Sequence, residues 1–111
     1  MARDQAFNDY IVGDVLRDVP GIVSKAMFGG WSIYKDGVIF GLIADGELYF
    51  KVDDSNIENY KQRESHPFVY EGKNKQVTMS YWTVPEDILE NQSELLEWIE
   101  KSIKASSKKL A

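Results

Sequence analysis

The 111-residue chain predicts a single two-layer α+β domain: an antiparallel sheet of about five to six strands with helices on one face. Three observations carry this expectation. Two Asp-Gly pairs, Asp36-Gly37 and Asp45-Gly46, each sit between apolar runs of alternating pattern. Apolar residues recur at helical spacing near both ends of the chain. The strands follow one another directly, without the strand–helix–strand alternation of a parallel sheet. No low-complexity linker or internal repeat divides the sequence, so residues 1–111 are expected to form one domain.

The first helix is read from Phe7, Ile11, Val15 and Val19, each four residues after the last, with Tyr10 beside them. Asp9, Asp14, Arg17 and Asp18 occupy the other sides. Pro20-Gly21 ends this helix, since proline cannot continue the hydrogen-bond ladder. The stretch Met27-Phe28-Gly29-Gly30 then raises the question of a phosphate-binding loop. Such a loop needs its glycines to open a helix, with lysine and a hydroxyl following. Here they lead into the alternating strand Trp31-Ser32-Ile33-Tyr34, so the glycine pair reads as a bend between strands.

Asp-Gly satisfies the two positive-φ positions of a type I′ hairpin turn. Counting outward from the two turns puts Trp31, Ile33, Phe40, Leu42, Tyr49 and Lys51 on one face. Ser32, Tyr34, Ile39, Gly41, Ile43, Leu48, Phe50 and Val52 fall on the other. The second set is the expected helix-covered core, with Gly41 leaving room for a helix to come close. A second helix should follow a capping box of Ser55 and Glu58, bury Ile57 and Tyr60, and stop before His66-Pro67. The runs PFVYEG and QVTMSYWTV flank a GKNK turn and supply the remaining strands. VPEDILE reads as a short separate turn with Pro85 near its first helical position. Leu95, Leu96, Trp98, Ile99 and Ile103 form the stripe of the last helix, led by glutamates and followed by lysines in keeping with the helix dipole.

Composition narrows the function. The absence of cysteine removes disulfides and thiolate metal sites and suits a reducing, cytoplasmic setting. No stretch is long and apolar enough to span a membrane, and the charged first residues do not suit a signal peptide. A net charge of −5 opposes binding to a phosphate backbone. His66, the single histidine, sits in an expected loop, and Ser65 beside it does not make a catalytic triad by adjacency. Asp53-Asp54 reads as a helix cap and dipole partner, and the glutamates of the last helix as a solvated face. No catalytic residue, cofactor or metal site is expected, and the chain reads as a non-enzyme.

The segments KAMFGGWSIYKDGVIFGLIADGELYFKVDD (residues 25–54) and PFVYEGKNKQVTMSYWTVPEDILE (residues 67–90) resemble the N-terminal domain of the TfoX/Sxy family. The MFGG, FGLIADG and MSYW-x-VP elements occur in family order. The resemblance implies a fold similar to the secretion chaperones. It also implies a role in regulating natural competence, as a co-activator with the cyclic-AMP receptor protein at a subset of promoters. Larger members carry a second, C-terminal domain, and after the last helix of this chain only KASSKKLA remains. The family motif brings no catalytic centre with it.

The expected function is therefore that of a regulatory or adaptor module working through protein contacts, with the transcription machinery, the cyclic-AMP receptor protein or a second copy as partner. The expected contact surface is the first sheet face, Trp31, Ile33, Phe40, Leu42 and Tyr49, rimmed by Lys35, Glu47 and Lys51. Leu42→Asp would then remove the contact and leave the fold intact. Two other readings stand beside this one: nucleic-acid binding through Lys101, Lys104, Lys108 and Lys109, and small-molecule sensing in a pocket of Tyr34, Tyr81 and Trp82.

Overall fold

A computed structural model describes residues 5–27, 30–71 and 74–108. Helix α1 (Gln5–Tyr10) runs into a π-helical turn, Ile11–Val15, and a six-stranded sheet follows. Its strands are β1 (Ile22–Met27), β2 (Gly30–Lys35), β3 (Val38–Ala44), β4 (Glu47–Lys51), β5 (Pro67–Glu71) and β6 (Gln76–Thr83). Helix α2 (Ile57–Lys61) links β4 to β5, and α3 (Glu86–Leu89) and α4 (Gln92–Lys108) close the chain. All pairings are antiparallel, in the order β1-β2-β3-β4-β6-β5. The expected α+β architecture with helices on one face is what the chain adopts.

The first helix differs from the expected stripe. In the π turn the Leu16 amide reaches back five residues to the Ile11 carbonyl, at 2.8 Å. The wider turn inserts one residue into the helical period. Leu16, not Val15, therefore takes the core position next after Ile11, and helical bonding ends before Pro20-Gly21 rather than at it.

Both Asp-Gly turns form as expected, with φ of 52° and 85° at Asp36-Gly37 and 53° and 76° at Asp45-Gly46. Between them the count goes astray. Tyr34 pairs with Ile39, but Ile33 pairs with Gly41, leaving Phe40 as the extra residue of a β-bulge. Beyond the bulge the faces of β2 exchange relative to the rest of β3. Trp31 and Ile33 thereby join Phe40, Ile43, Leu48 and Phe50 in the main core, and Ser32 and Tyr34 leave it.

Helix α4 packs on β3 and β4, setting Leu95, Trp98 and Ile99 against that core. Its continuation is lined by small residues, Ser102, Ala105 and Ser106, all buried. Gly41 serves a different purpose from the one expected. A Cβ there would stand 3.1 Å from the Tyr49 carbonyl oxygen and 3.3 Å from the Phe50 ring, so the glycine accommodates the neighbouring strand and not a helix. The capping box is also absent. Asn56 precedes α2 without capping it, and Ser55 gives both its amide (2.8 Å) and its hydroxyl (2.5 Å) to the Asp53 carboxylate.

The second face of the sheet has its own apolar cluster: Leu42, Tyr49 and Tyr81, bordered by Met27, Ile39, Phe68 and Met79. Among the described residues, no helical side chain joins it. Its burial comes from the sheet itself. Met27 of β1 and Phe68 and Tyr70 of β5 line one hollow of about 50 Å³, although four strands lie between theirs. In a flat sheet five strand spacings would hold them roughly 24 Å apart. The sheet is therefore strongly coiled, and its outer strands close in over the middle ones.

Gly30 sits at the tightest backbone approach of this arrangement, where a Cβ would fall 2.1 Å from the Ile43 carbonyl oxygen. Gly30→Ala is expected to cost about 1–3 kcal/mol, because the obstacle is backbone and cannot swing aside. Gly13→Ala meets nothing within 4 Å and should leave stability unchanged or raise it by up to about 1 kcal/mol. Urea melts of the two variants against the parent check the contrast.

Candidate functional site

Strand β4 and its surroundings gather most of the residues singled out from the sequence, but the bulge divides the expected contact face. Trp31, Ile33 and Phe40 lie under the helices, and Lys35, whose register partner is the core-packed Ile22, goes with them. Leu42, Tyr49, Lys51 and Glu47 lie on the coiled side. The proposed face is corrected accordingly: its members do not form one surface. Leu42, Tyr49 and Lys51 are only 5%, 5% and 6% exposed. Leu42→Asp would thus place a carboxylate in a core, where it is expected to unfold the domain rather than test a contact.

Lys51 is held from both ends. Its carbonyl accepts hydrogen bonds from the Ser102 hydroxyl of α4 (2.8 Å) and the Asn56 amide (3.1 Å). Its ammonium lies 5.2 Å from the centre of the Tyr81 ring. Tyr49 meets Phe68 edge-on at 5.1 Å. Of the expected polar rim, Lys35 pairs with Asp36 at 3.2 Å and Glu47 approaches His66 at 4.0 Å. Burial raises the pKa of the Tyr49 phenol, with the Glu47 and Asp45 carboxylates adding to it. Burial does the same at Tyr81, with Tyr34 contributing, and most strongly at Tyr60, where the Ser102 hydroxyl opposes it.

The exposed apolar surface lies further along the sheet. The β5–β6 hairpin shows Val69, Tyr70 and Val77 at 41%, 42% and 38% exposure. Tyr70 and Val77 are register partners, and β5 is a sheet edge. Sequence reasoning assigned these residues to strands but not to a surface. Their residue types do not distinguish them from the buried strand tyrosines Tyr49 and Tyr81.

The other expected groupings come apart or are already engaged. Trp82 packs with the helix-side core while Tyr81 joins the opposite cluster, so they line no common pocket with Tyr34. Strand alternation separates adjacent residues in this way. Lys101 and Lys104 are exposed on α4; the Lys108 side chain and Lys109 lie outside the described residues. The Ser65 hydroxyl bonds the Thr83 carbonyl at 2.6 Å and lies 2.8 Å from the Thr83 hydroxyl. Among the described residues no three His, Asp or Glu side chains are placed to share a metal ion, and no helix is long and apolar enough to cross a membrane.

Comparison with known proteins points the same way as the residues quoted from the sequence. Residues 14–106 match the model of the TfoX N-terminal domain. The chain is also 26% identical over 84 residues to protein Sxy of Escherichia coli strain K12, a match covering 76% of this chain and 40% of that protein.

The buried phenols set an alkaline limit on stability. Each holds its proton more tightly in the folded chain than at the ordinary value of 10.0. Such a group costs nothing below that value; above it the unfolded chain ionises first and is favoured. Stability is therefore expected to fall as pH rises beyond about 10, and Tyr60→Phe should make the fall shallower. Thermal melts of the two proteins from neutral to strongly alkaline pH measure the slopes, and equal slopes would remove Tyr60 from this account.

Proposed function

The chain belongs to the TfoX N-terminal domain family, and we propose that it is a non-enzymatic regulatory module acting through protein contacts in transcriptional control, of the kind that governs natural competence. The observation that carries this reading is the β5–β6 hairpin, where Tyr70 and its register partner Val77 are exposed on one face and Val69 of the edge strand β5 is exposed on the other. Exposed apolar side chains beside a sheet edge are costly in water and well suited to binding another protein surface. Family resemblance supplies the direction, a co-activator contact with the cyclic-AMP receptor protein, in a cytoplasmic setting. The aligned region is less than half the length of the Sxy relative, so the activity of the whole relative enters only as part of this proposal. The absence of an enzyme role is supported by Ser65, whose hydroxyl is committed to Thr83 beside the one histidine.

The test is direct binding of the purified chain to the cyclic-AMP-loaded receptor protein on its DNA site, with the Tyr70→Lys/Val77→Lys double variant beside it. The parent is expected to bind and the variant to lose roughly tenfold or more in affinity, as for truncation of an interface anchor, with circular dichroism showing that the variant is still folded. Equal binding by both, or none by the parent, would sink the reading. A doubled solution mass that the double variant abolishes would replace it with self-association.

A further inference from the structure

We propose that a cleft of about 460 Å³ at the opposite end of β5 is a docking groove for a basic segment of a protein partner, carrying one bulky apolar anchor among lysines or arginines. The cleft lies between α1, the β3–β4 turn, the chain after α2, and α3. Its size falls within the range of sites that enclose several side-chain-sized groups. Phe7 and Tyr10 form one wall, their ring centres 6.2 Å apart, and Leu48, Pro85 and Leu89 continue the apolar lining. Tyr10 is among the more exposed large hydrophobic residues of the chain, at 45%.

Charge identifies the occupant. Glu47, Glu64, Glu86 and Glu90 line it, against the Arg63 guanidinium and the His66 imidazole, which lies 4.0 Å from Glu47. Arg63 is already engaged elsewhere. It bonds Asp87 at 2.6 Å, approaches Glu94 at 3.6 Å and stacks 5.6 Å from the Trp98 ring centre, and none of these three lines the cleft. The cleft thus presents a surplus of negative charge around an apolar wall. An acidic peptide or a phosphate would meet repulsion there. A wholly apolar helix would leave the carboxylates facing apolar surface. A basic segment with one aromatic or leucine anchor answers both features, the anchor against Phe7 and Tyr10 and the cations toward the rim. None of these residues belongs to the β5–β6 arm, so the inference stands apart from the contact proposed above.

The experiment uses the full chain and fluorescein-labelled peptides in an anisotropy titration at about 0.15 M salt, where exposed charges are screened beyond roughly 8 Å. One peptide carries lysines and arginines around a single tryptophan, a second replaces the tryptophan with serine, and a third replaces the cations with glutamate. The first is expected to bind saturably and the other two at least about tenfold more weakly. Glu86→Lys/Glu90→Lys should weaken the first peptide roughly tenfold, and Tyr10→Ala about fivefold or more. Glu97→Lys/Glu100→Lys on the exposed face of α4 should leave it unchanged. All five side chains are exposed, so circular dichroism is expected to report an intact fold in every variant. Equal binding of the anchored and unanchored basic peptides, or equal loss in the α4 variant, would reduce the effect to general attraction for cations and overturn the groove. Undiminished binding in the Glu86/Glu90 variant would do so too.

Discussion

The extra residue at Phe40 is the constraint on which the rest of the sheet depends. Two type I′ turns at Asp36-Gly37 and Asp45-Gly46 fix the register at both ends of β3. Without the bulge they would send Trp31 and Ile33 to the face opposite Ile43 and Phe50, and bring Ser32 and Tyr34 beneath the helices. The bulge interrupts the ladder at one point, a loss of about 0.5–1.5 kcal/mol if a hydrogen bond is forgone. Burying Ile33 fully is alone worth about 1.5–3 kcal/mol, and Trp31 adds to it. The hydrophobic gain therefore outweighs the ladder defect, and the same step frees the other face to form its own aromatic cluster.

That second cluster explains how a two-layer domain keeps Leu42, Tyr49 and Tyr81 dry, although among the described residues no helical side chain joins them. The sheet coils until β1 and β5 side chains share a hollow. Strand β4 lies between the two cores. Phe50 points to the helices, Tyr49 to the coiled side, and the Lys51 carbonyl takes hydrogen bonds from both α2's leading Asn56 and α4's Ser102. A single backbone oxygen thus joins two helices to the middle of the sheet, where an unsatisfied carbonyl would itself be costly.

The two proposed contact surfaces differ in chemistry. The β5–β6 arm is apolar and borders a strand edge, which suits pairing with another protein's backbone or a broad apolar face. The cleft beneath α1 and α3 is acidic around an aromatic wall, which suits a narrower, cationic segment. They lie at opposite ends of β5.

Local chemistry was enough to reveal much of this architecture in the sequence. Asp-Gly pairs declare their turns because few other residues accept two consecutive positive φ angles. The α4 stripe of Leu95, Trp98 and Ile99 is set by helical period alone, and the quoted motifs identify the family without any structure. Two of the places where the reading failed share one cause. The π turn at Ile11–Val15 and the bulge at Phe40 each insert one residue into a periodic pattern, and a period counted along the chain carries no sign of the insertion. Whether the extra residue is tolerated depends on what the opposite layer needs buried, which is a property of the packed whole. The cleft was invisible for a related reason: Phe7, Glu47, Arg63 and Glu86 are distant in sequence and acquire a common chemistry only when four separate elements meet around it.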